Sequence, residues 1–258
     1  MERCYERPHD LAFHAHVVDQ YECNGATNLI LDHTLFFPSI PQSPHPKDRG
    51  FINGIRVYDV IRQDGQIVHM LAQRANFKIG ECVSGVIDQT IRAPYLAHHT
   101  VEHLILRVLE RDWGITPLAW KYEHGVGRII VTGSKLNRSI LYDVTAEVNA
   151  LTRANLPIYS YHEYLHREPW IRLPIRNDYE YLQRKPSLRL PIRNTPKLGE
   201  KVRIVEIGKF EDVVDRAVCD GLHCESTGMI AQIAVPTFKA SKRKVNRWQI
   251  SYEARLYH

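Results

Sequence analysis

Pro94-Tyr-Leu-Ala-His-His-Thr-Val-Glu-His-Leu-Ile-Leu-Arg-Val-Leu-Glu-Arg-Asp112 is the stretch on which the fold of this chain turns. Ala97, Val101, Leu104 and Val108 recur at i, i+4, i+7 and i+11, the period of a helix with one apolar face, with Pro94 near its first turn and Gly114 just past its end. At about 100° per residue, His99 and His103 project roughly opposite that stripe and lie one turn apart, so two imidazoles can grip one cation. Far along the chain, Cys219-Asp-Gly-Leu-His223 offers a thiol and a further imidazole at the same spacing. Imidazole nitrogen and thiolate sulfur are the donors that tetrahedral zinc accepts, which makes His99, His103, Cys219 and His223 a candidate zinc set. The plainer alternatives are hydrogen-bonded core histidines and, for Cys219, a small core residue.

Upstream of this helix the chain reads as β. Thr27-Asn-Leu-Ile-Leu-Asp32 and Phe51 to Asp59 have strand composition, and Val57 to Met70 reads as a hairpin turning at Asp64-Gly65. Pro38-Ser-Ile-Pro-Gln-Ser-Pro-His-Pro46 is too rich in proline for regular structure. Downstream, Arg128 to Thr132 reads as a strand, and Leu141, Val144, Val148 and Leu151 line one face of a second helix that ends before Pro157. Val202 to Ile207, Met229 to Val235 and Arg247 to Tyr252 read as late strands. The order predicts an α+β protein, with a β-barrel-like domain over 1–90 and an α+β domain over 91–258 that holds all four candidate ligands.

Composition and charge narrow the setting. The 258 residues are 44% hydrophobic and 24% charged, enough for a real core. There is no apolar run of membrane-span length, and the start, Met-Glu-Arg-Cys-Tyr-Glu-Arg, is too charged for a secretory signal; both point to the cytoplasm. Five cysteines without paired spacing fit reduced thiols rather than a disulfide frame, with Cys224 structural. The net charge of +5 is unevenly spread: residues 167 to 205 hold ten Lys and Arg against four acids, and residues 238 to 258 hold six against one. Such segregation is the footprint expected for a polyanion such as RNA, although a solvated surface face would carry it too. Within the first run, Ile171-Arg-Leu-Pro-Ile-Arg-Asn177 recurs as Leu188-Arg-Leu-Pro-Ile-Arg-Asn194. Arg172, Arg176, Arg189 and Arg193 are candidate phosphate contacts, with Trp170, Tyr179 and Tyr181 available for stacking; Lys242, Arg243 and Lys244 are the corresponding candidates in the second run.

Taken in order, these motifs resemble a known family. Leu31-Asp-His-Thr-Leu-Phe-Phe-Pro38 is similar to L-D-x-T-x-F-Y-P, His99-Thr-x-x-His103 to H-T-x-x-H and Cys219-x-Gly-x-His223 to C-x-G-x-H. Asp48-Arg-Gly50, the Val57-Tyr-Asp-Val60 strand, Ser226-Thr-Gly228 and Asn246-Arg247 fall in family order. The chain thus resembles, over roughly residues 12 to 253, the AlaX-type alanyl-tRNA editing proteins, relatives of the editing domains of alanyl- and threonyl-tRNA synthetases. Three stretches depart from the pattern: Ser39 to Pro46 stands in place of a Gly-Gly-Gly-Gln run, Cys219-Asp-Gly-Leu-His223 lacks the threonine or proline common before the last histidine, and 171–194 has no counterpart.

The resemblance implies a translation-factor-like β-barrel followed by a two-layer α+β editing core. It implies hydrolysis of the ester joining a wrong amino acid, seryl or glycyl, to alanine tRNA. It assigns zinc to His99, His103, Cys219 and His223, and makes Thr34 a candidate contact to the substrate hydroxyl. A site built around such a hydrogen bond rejects the alanyl ester that lacks it. The length leaves no room for a synthetase module, so the expected action is in trans. His99-x-x-Glu102-His103 also fits the H-x-x-E-H peptidase pattern, in which the glutamate is a base; here Glu102 is kept as a candidate proton-transfer residue beside the metal. Two further readings stay open: an aminoacyl-tRNA-dependent transferase with an amine acceptor, and a non-catalytic, zinc-stabilised RNA-binding module.

Overall fold

The computed structural model describes residues 1–39, 45–123, 125–133, 136–164, 199–209, 213–242 and 244–257. It divides into two compact units, Met1–Leu96 and Ala97–His258. The repeat with Arg172, Arg176, Arg189 and Arg193, its aromatic neighbours, and Arg243 lie outside the described residues.

The first unit is a closed barrel. Its strands are β1 (Ala12–Cys23), β2 (Ala26–Leu31), β3 (Gly50–Ile52), β4 (Ile55–Gln63), β5 (Gln66–Leu71) and β6 (Cys82–Ile87), paired antiparallel in the order β1-β2-β5-β4-β3-β6. Alternation drives it: Phe13, Ala15 and Val17 of β1 are buried while His14, His16 and Val18 face out. Three tight turns fix register. Asn24-Gly25, Asn53-Gly54 and Asp64-Gly65 all adopt positive φ at both positions, the conformation that short hairpins require. The second of these splits the single strand expected over Phe51 to Asp59 into β3 and β4, because Asn-Gly turns the chain there. Closure needs close backbone approach at Gly50, where a Cβ would fall 2.0 Å from the Val86 carbonyl oxygen.

A buried ion pair ties this unit together. Arg92 contacts Asp48 through Nε at 3.1 Å and through Nη2, and it also donates from Nη1 to the Pro8 carbonyl at 2.7 Å and from Nη2 to the Leu35 carbonyl at 2.8 Å. Asp48 also accepts the Phe37 amide at 2.7 Å. Every strong partner of both charges is thus a protein group, the condition under which a buried pair persists.

Helix α1 (Gln89–Trp113) starts before the predicted position. Asp88, not Pro94, marks its beginning: the Asp88 carboxylate accepts the Thr90 amide at 2.9 Å, an N-cap bond. Tyr95 to Leu109 are buried without interruption, so the expectation of a single buried stripe is corrected: the histidine face is covered as well. In the second unit, β7 (Thr116–Glu123), β8 (Val126–Thr132), β12 (Thr237–Ala240) and β13 (Arg247–Tyr252) form a sheet ordered β12-β13-β8-β7. A three-stranded sheet, β11-β10-β9, contains β9 (Ile158–Tyr164), β10 (Lys201–Ile207) and β11 (Asp215–Val218). Helix α2 (Arg138–Arg153) is capped by Asn137, which accepts the Ile140 amide at 3.0 Å, and buries Leu141, Val144 and Val148; Thr152, rather than the expected Leu151, completes that face.

Met229 to Val235 is not a strand. Asn149 of α2 takes both backbone polar groups of Ile233, at 2.8 and 3.0 Å, while an isolated antiparallel bridge joins Ile230 to Leu256, with the Ala231 amide donating to the Arg255 carbonyl at 2.9 Å. The α+β class with a closed barrel stands. No described helix is long and apolar enough to cross a membrane.

Candidate metal centre

Four donor atoms from two remote segments meet in the second unit. His99, His103, Cys219 and His223 each present one ligand atom, and all four lie within 4.8 Å of one another. Cys219 Sγ is 3.4 Å from His99 Nε2 and 3.4 Å from His223 Nε2. A tetrahedral ion with metal–nitrogen bonds near 2.0–2.1 Å and a metal–sulfur bond near 2.3 Å spaces its donors about 3.3–3.6 Å apart. The observed edges fit such an ion.

The other side of two imidazoles is already committed. His99 Nδ1–H donates to the Leu222 carbonyl at 3.0 Å, and His103 Nδ1–H donates to Asp215 Oδ2 at 2.8 Å. Each bond places the lone pair on Nε2, the atom that faces the cluster, and holds the ring at a fixed angle. The three imidazoles are 3–5% exposed, whereas Cys219 is partly exposed, so the cluster is reached from the thiol side. His99 is sandwiched between His223, at 4.1 Å between ring centroids, and Trp120, at 5.0 Å, with both rings within 29° of parallel.

The electrostatics favour a cation. Burial alone would lower the His103 pKa, but Asp215, Cys219 and Glu102 outweigh it and push the value up to about 10. Negative groups that raise the pKa of an imidazole also attract a metal cation in place of the proton. Glu102 Oε2 stands 3.7 Å from His103 Nε2, at the edge of the donor set. Burial pushes the Cys224 thiol up to about 12, and its amide donates to Thr100 Oγ1, consistent with a structural cysteine.

Sheet register explains why these residues converge. Ile207 pairs with Asp215 and Val205 with Ala217, and the Cys219 amide continues the ladder to the Arg203 carbonyl at 3.1 Å. Asp215, Ala217 and Cys219 therefore share one face, with Arg203 across from the thiol. Asp215 was legible in principle, since it lies four residues before Cys219 and period-two alternation aligns the two. Trp120 and Arg203 carried no such signal.

The remaining predicted residues belong to other elements. Thr34, in the barrel unit, is 2% exposed. Its hydroxyl pairs with His69 Nε2 at 2.8 Å and accepts the Phe36 amide at 3.1 Å. His69 Nδ1 faces the Leu29 carbonyl at 3.0 Å, so Nδ1 carries the proton and Thr34 donates to Nε2. Lys242 and Lys244 are exposed between β12 and β13. The neighbouring His98 is a core histidine whose Nε2 accepts the Ala254 amide at 3.0 Å.

No protein-family model matches the chain. It is 28% identical over 254 residues to alanyl-tRNA editing protein AlaX-L of Pyrococcus horikoshii, covering 96% of this chain and 56% of that protein. It is 34% identical over 103 residues to AlaX-M of the same organism, covering 38% of this chain and 47% of that one. Alanine–tRNA ligase of Methanocorpusculum labreanum matches at 27% over 244 residues, 90% of this chain but 23% of the ligase. The chain thus spans about half the length of AlaX-L and about a quarter of the ligase. The resemblance carried by motifs spread between residues 12 and 253 extends to overall sequence: the chain is similar, over nearly its whole length, to the AlaX-type alanyl-tRNA editing proteins.

Proposed function

We propose that this chain is a zinc-dependent editing hydrolase that cleaves the ester of mischarged aminoacyl-tRNA, with seryl- or glycyl-tRNA(Ala) as the substrates. The observation that carries the reading is that the ligand atoms of His99, His103, Cys219 and His223 lie within 4.8 Å of one another, in a chain similar to proteins named for alanyl-tRNA editing. In finer terms, the barrel corresponds to a translation-factor-like domain and the second unit to a two-layer editing core.

His99, His103, Cys219 and His223 would hold the zinc, which would supply Lewis acidity toward an ester that is already activated. The chain's own residues do the rest. Asp215 and the Leu222 carbonyl fix two imidazoles, and the partly exposed Cys219 marks the side from which the acylated RNA end approaches. Glu102, buried beside His103 Nε2, is placed to move a proton between water and the leaving ribose oxygen. Thr34 is the proposed contact for a substrate hydroxyl, and Lys242 and Lys244, with Arg243 between them in sequence, are proposed phosphate contacts.

A second reading has one observation in its favour. Four protein donors fill a tetrahedron, as in structural zinc sites, whereas catalytic zinc keeps a position open. A panel of mischarged tRNAs, incubated with purified protein with and without a chelator and scored for free amino acid or transfer to an added amine, separates the possibilities. Hydrolysis lost together with zinc, both on chelation and in Cys219→Ala, supports the hydrolase. Zinc retained without turnover supports the RNA-binding module, and transfer to the amine supports an aminoacyl transferase.

A further inference from the structure

Resting on the metal-centre reading above, we propose that Arg203 is the positioning residue that shapes the Cys219–His223 half of the site. Arg203 lies in β10 and is 6% exposed. It holds Cys219 from both sides: its backbone carbonyl accepts the Cys219 amide at 3.1 Å, and its side-chain Nη1 donates to the Cys219 carbonyl at 2.8 Å. The same Nη1 donates to the Gly221 carbonyl at 2.8 Å. One nitrogen with two hydrogens therefore bridges two carbonyls that flank the Asp220 position.

The bridge sets the shape of the ligand loop. With the Cys219 and Gly221 carbonyls turned toward the guanidinium, the Gly221 amide faces Cys219 Sγ at 3.4 Å, and the Leu222 carbonyl is directed at His99 Nδ1. Loop geometry thus controls three donors at once: the thiol, His223, and, through Leu222, the ring angle of His99. Buried carbonyls must be paired, and a charged donor forms the stronger bond. In this role Arg203 acts through the backbone that carries the ligand atoms.

The test compares wild type with Arg203→Met, which keeps most of the stem and removes the donors. Zinc affinity is measured by competition with a chelating dye, melting is followed in zinc-loaded and chelator-treated protein, and the visible absorption of the cobalt-substituted protein reports ligand geometry. The expected result is a zinc Kd raised about 10–100-fold, a smaller zinc-dependent gain in Tm, and an altered cobalt spectrum. A Kd equal to wild type, with Tm lowered equally in both states or not at all, overturns the proposal and leaves Arg203 a stability residue. Should Arg203→Met fail to fold, Arg203→Gln, which keeps an amide donor but is too short to span both carbonyls, is judged by the same criteria. A wild-type protein that binds no zinc overturns the metal reading, and this inference with it; a zinc-binding wild type with unaffected variants overturns this inference alone.

Discussion

Lowering the pH from 7.5 to 4.5 should weaken the barrel unit through a single side chain, His69. The ring is fully buried and neutral: Nδ1–H is given to the Leu29 carbonyl, and Nε2 receives the Thr34 hydroxyl proton. Burial is the main cause that holds its pKa down to about 4, against 6.5 for an exposed imidazole. Protonating Nε2 would also leave it facing a hydroxyl oxygen that already accepts the Phe36 amide. Because the folded value is depressed, the unfolded chain takes up a proton below pH 6.5 that the native protein refuses until near pH 4. Stability is therefore lost as the pH falls through that window. At pH 4.5 the difference in proton binding amounts to about 2–3 kcal/mol. Urea unfolding followed by circular dichroism at a series of pH values, run on wild type and His69→Gln, isolates this contribution, since glutamine can donate to Leu29 and accept from Thr34 without titrating. The difference between the two proteins should change by that amount between pH 7.5 and 4.5. Parallel curves would refute the assignment of a neutral, doubly bonded His69.

Other substitutions test the two units separately. Asp215→Asn removes the carboxylate that orients His103 and should weaken zinc binding about 10–100-fold, as read by chelator competition; unchanged affinity would remove Asp215 from the support of the site. Asp48→Ala strands the Arg92 guanidinium in the barrel unit and should cost about 3–5 kcal/mol, measured by chemical denaturation, with zinc affinity unaltered. Thr34→Val leaves His69 Nε2 without its donor, at about 1–3 kcal/mol, and on the proposed function also erodes discrimination between seryl and alanyl esters. Discrimination that survives would leave Thr34 as a loop anchor only.

Much of this was legible because side-chain period and turn chemistry are local. The His99–His103 spacing on a helix and the Asp64-Gly65 hairpin were readable directly from sequence. The Asn24-Gly25 and Asn53-Gly54 turns carry the same signal, which bounds β1 and separates β3 from β4 where strand composition alone runs on from Phe51 to Asp59. What periodicity does not encode is which faces another segment will cover. The histidine face of α1 therefore looked like the outer side of an amphipathic helix until side chains from both sheets, Trp120, Tyr252 and Asp215 among them, were seen against it. Met229 to Val235 departs for a related reason: its partners are long-range, an isolated bridge from Ile230 to Leu256 and the Asn149 side chain at Ile233. The convergence of the ligand pairs rests on sheet register between β10 and β11, a long-range property.

The pairing of Tyr164 with Lys201 joins β9 to β10 as adjacent antiparallel strands on either side of the arginine-rich repeat. Opposed residues in such a ladder stand about 5 Å apart, a gap that a two-residue turn can bridge. The intervening stretch is therefore topologically a cassette: it enters and leaves the sheet at one point. Loop closure becomes only slowly more costly with length, about 0.6 kcal/mol per doubling. The stretch between Tyr164 and Lys201 can accordingly be shortened or exchanged while the strands that deliver Asp215 and Cys219 keep their ladder, so its length is a variable separable from metal binding.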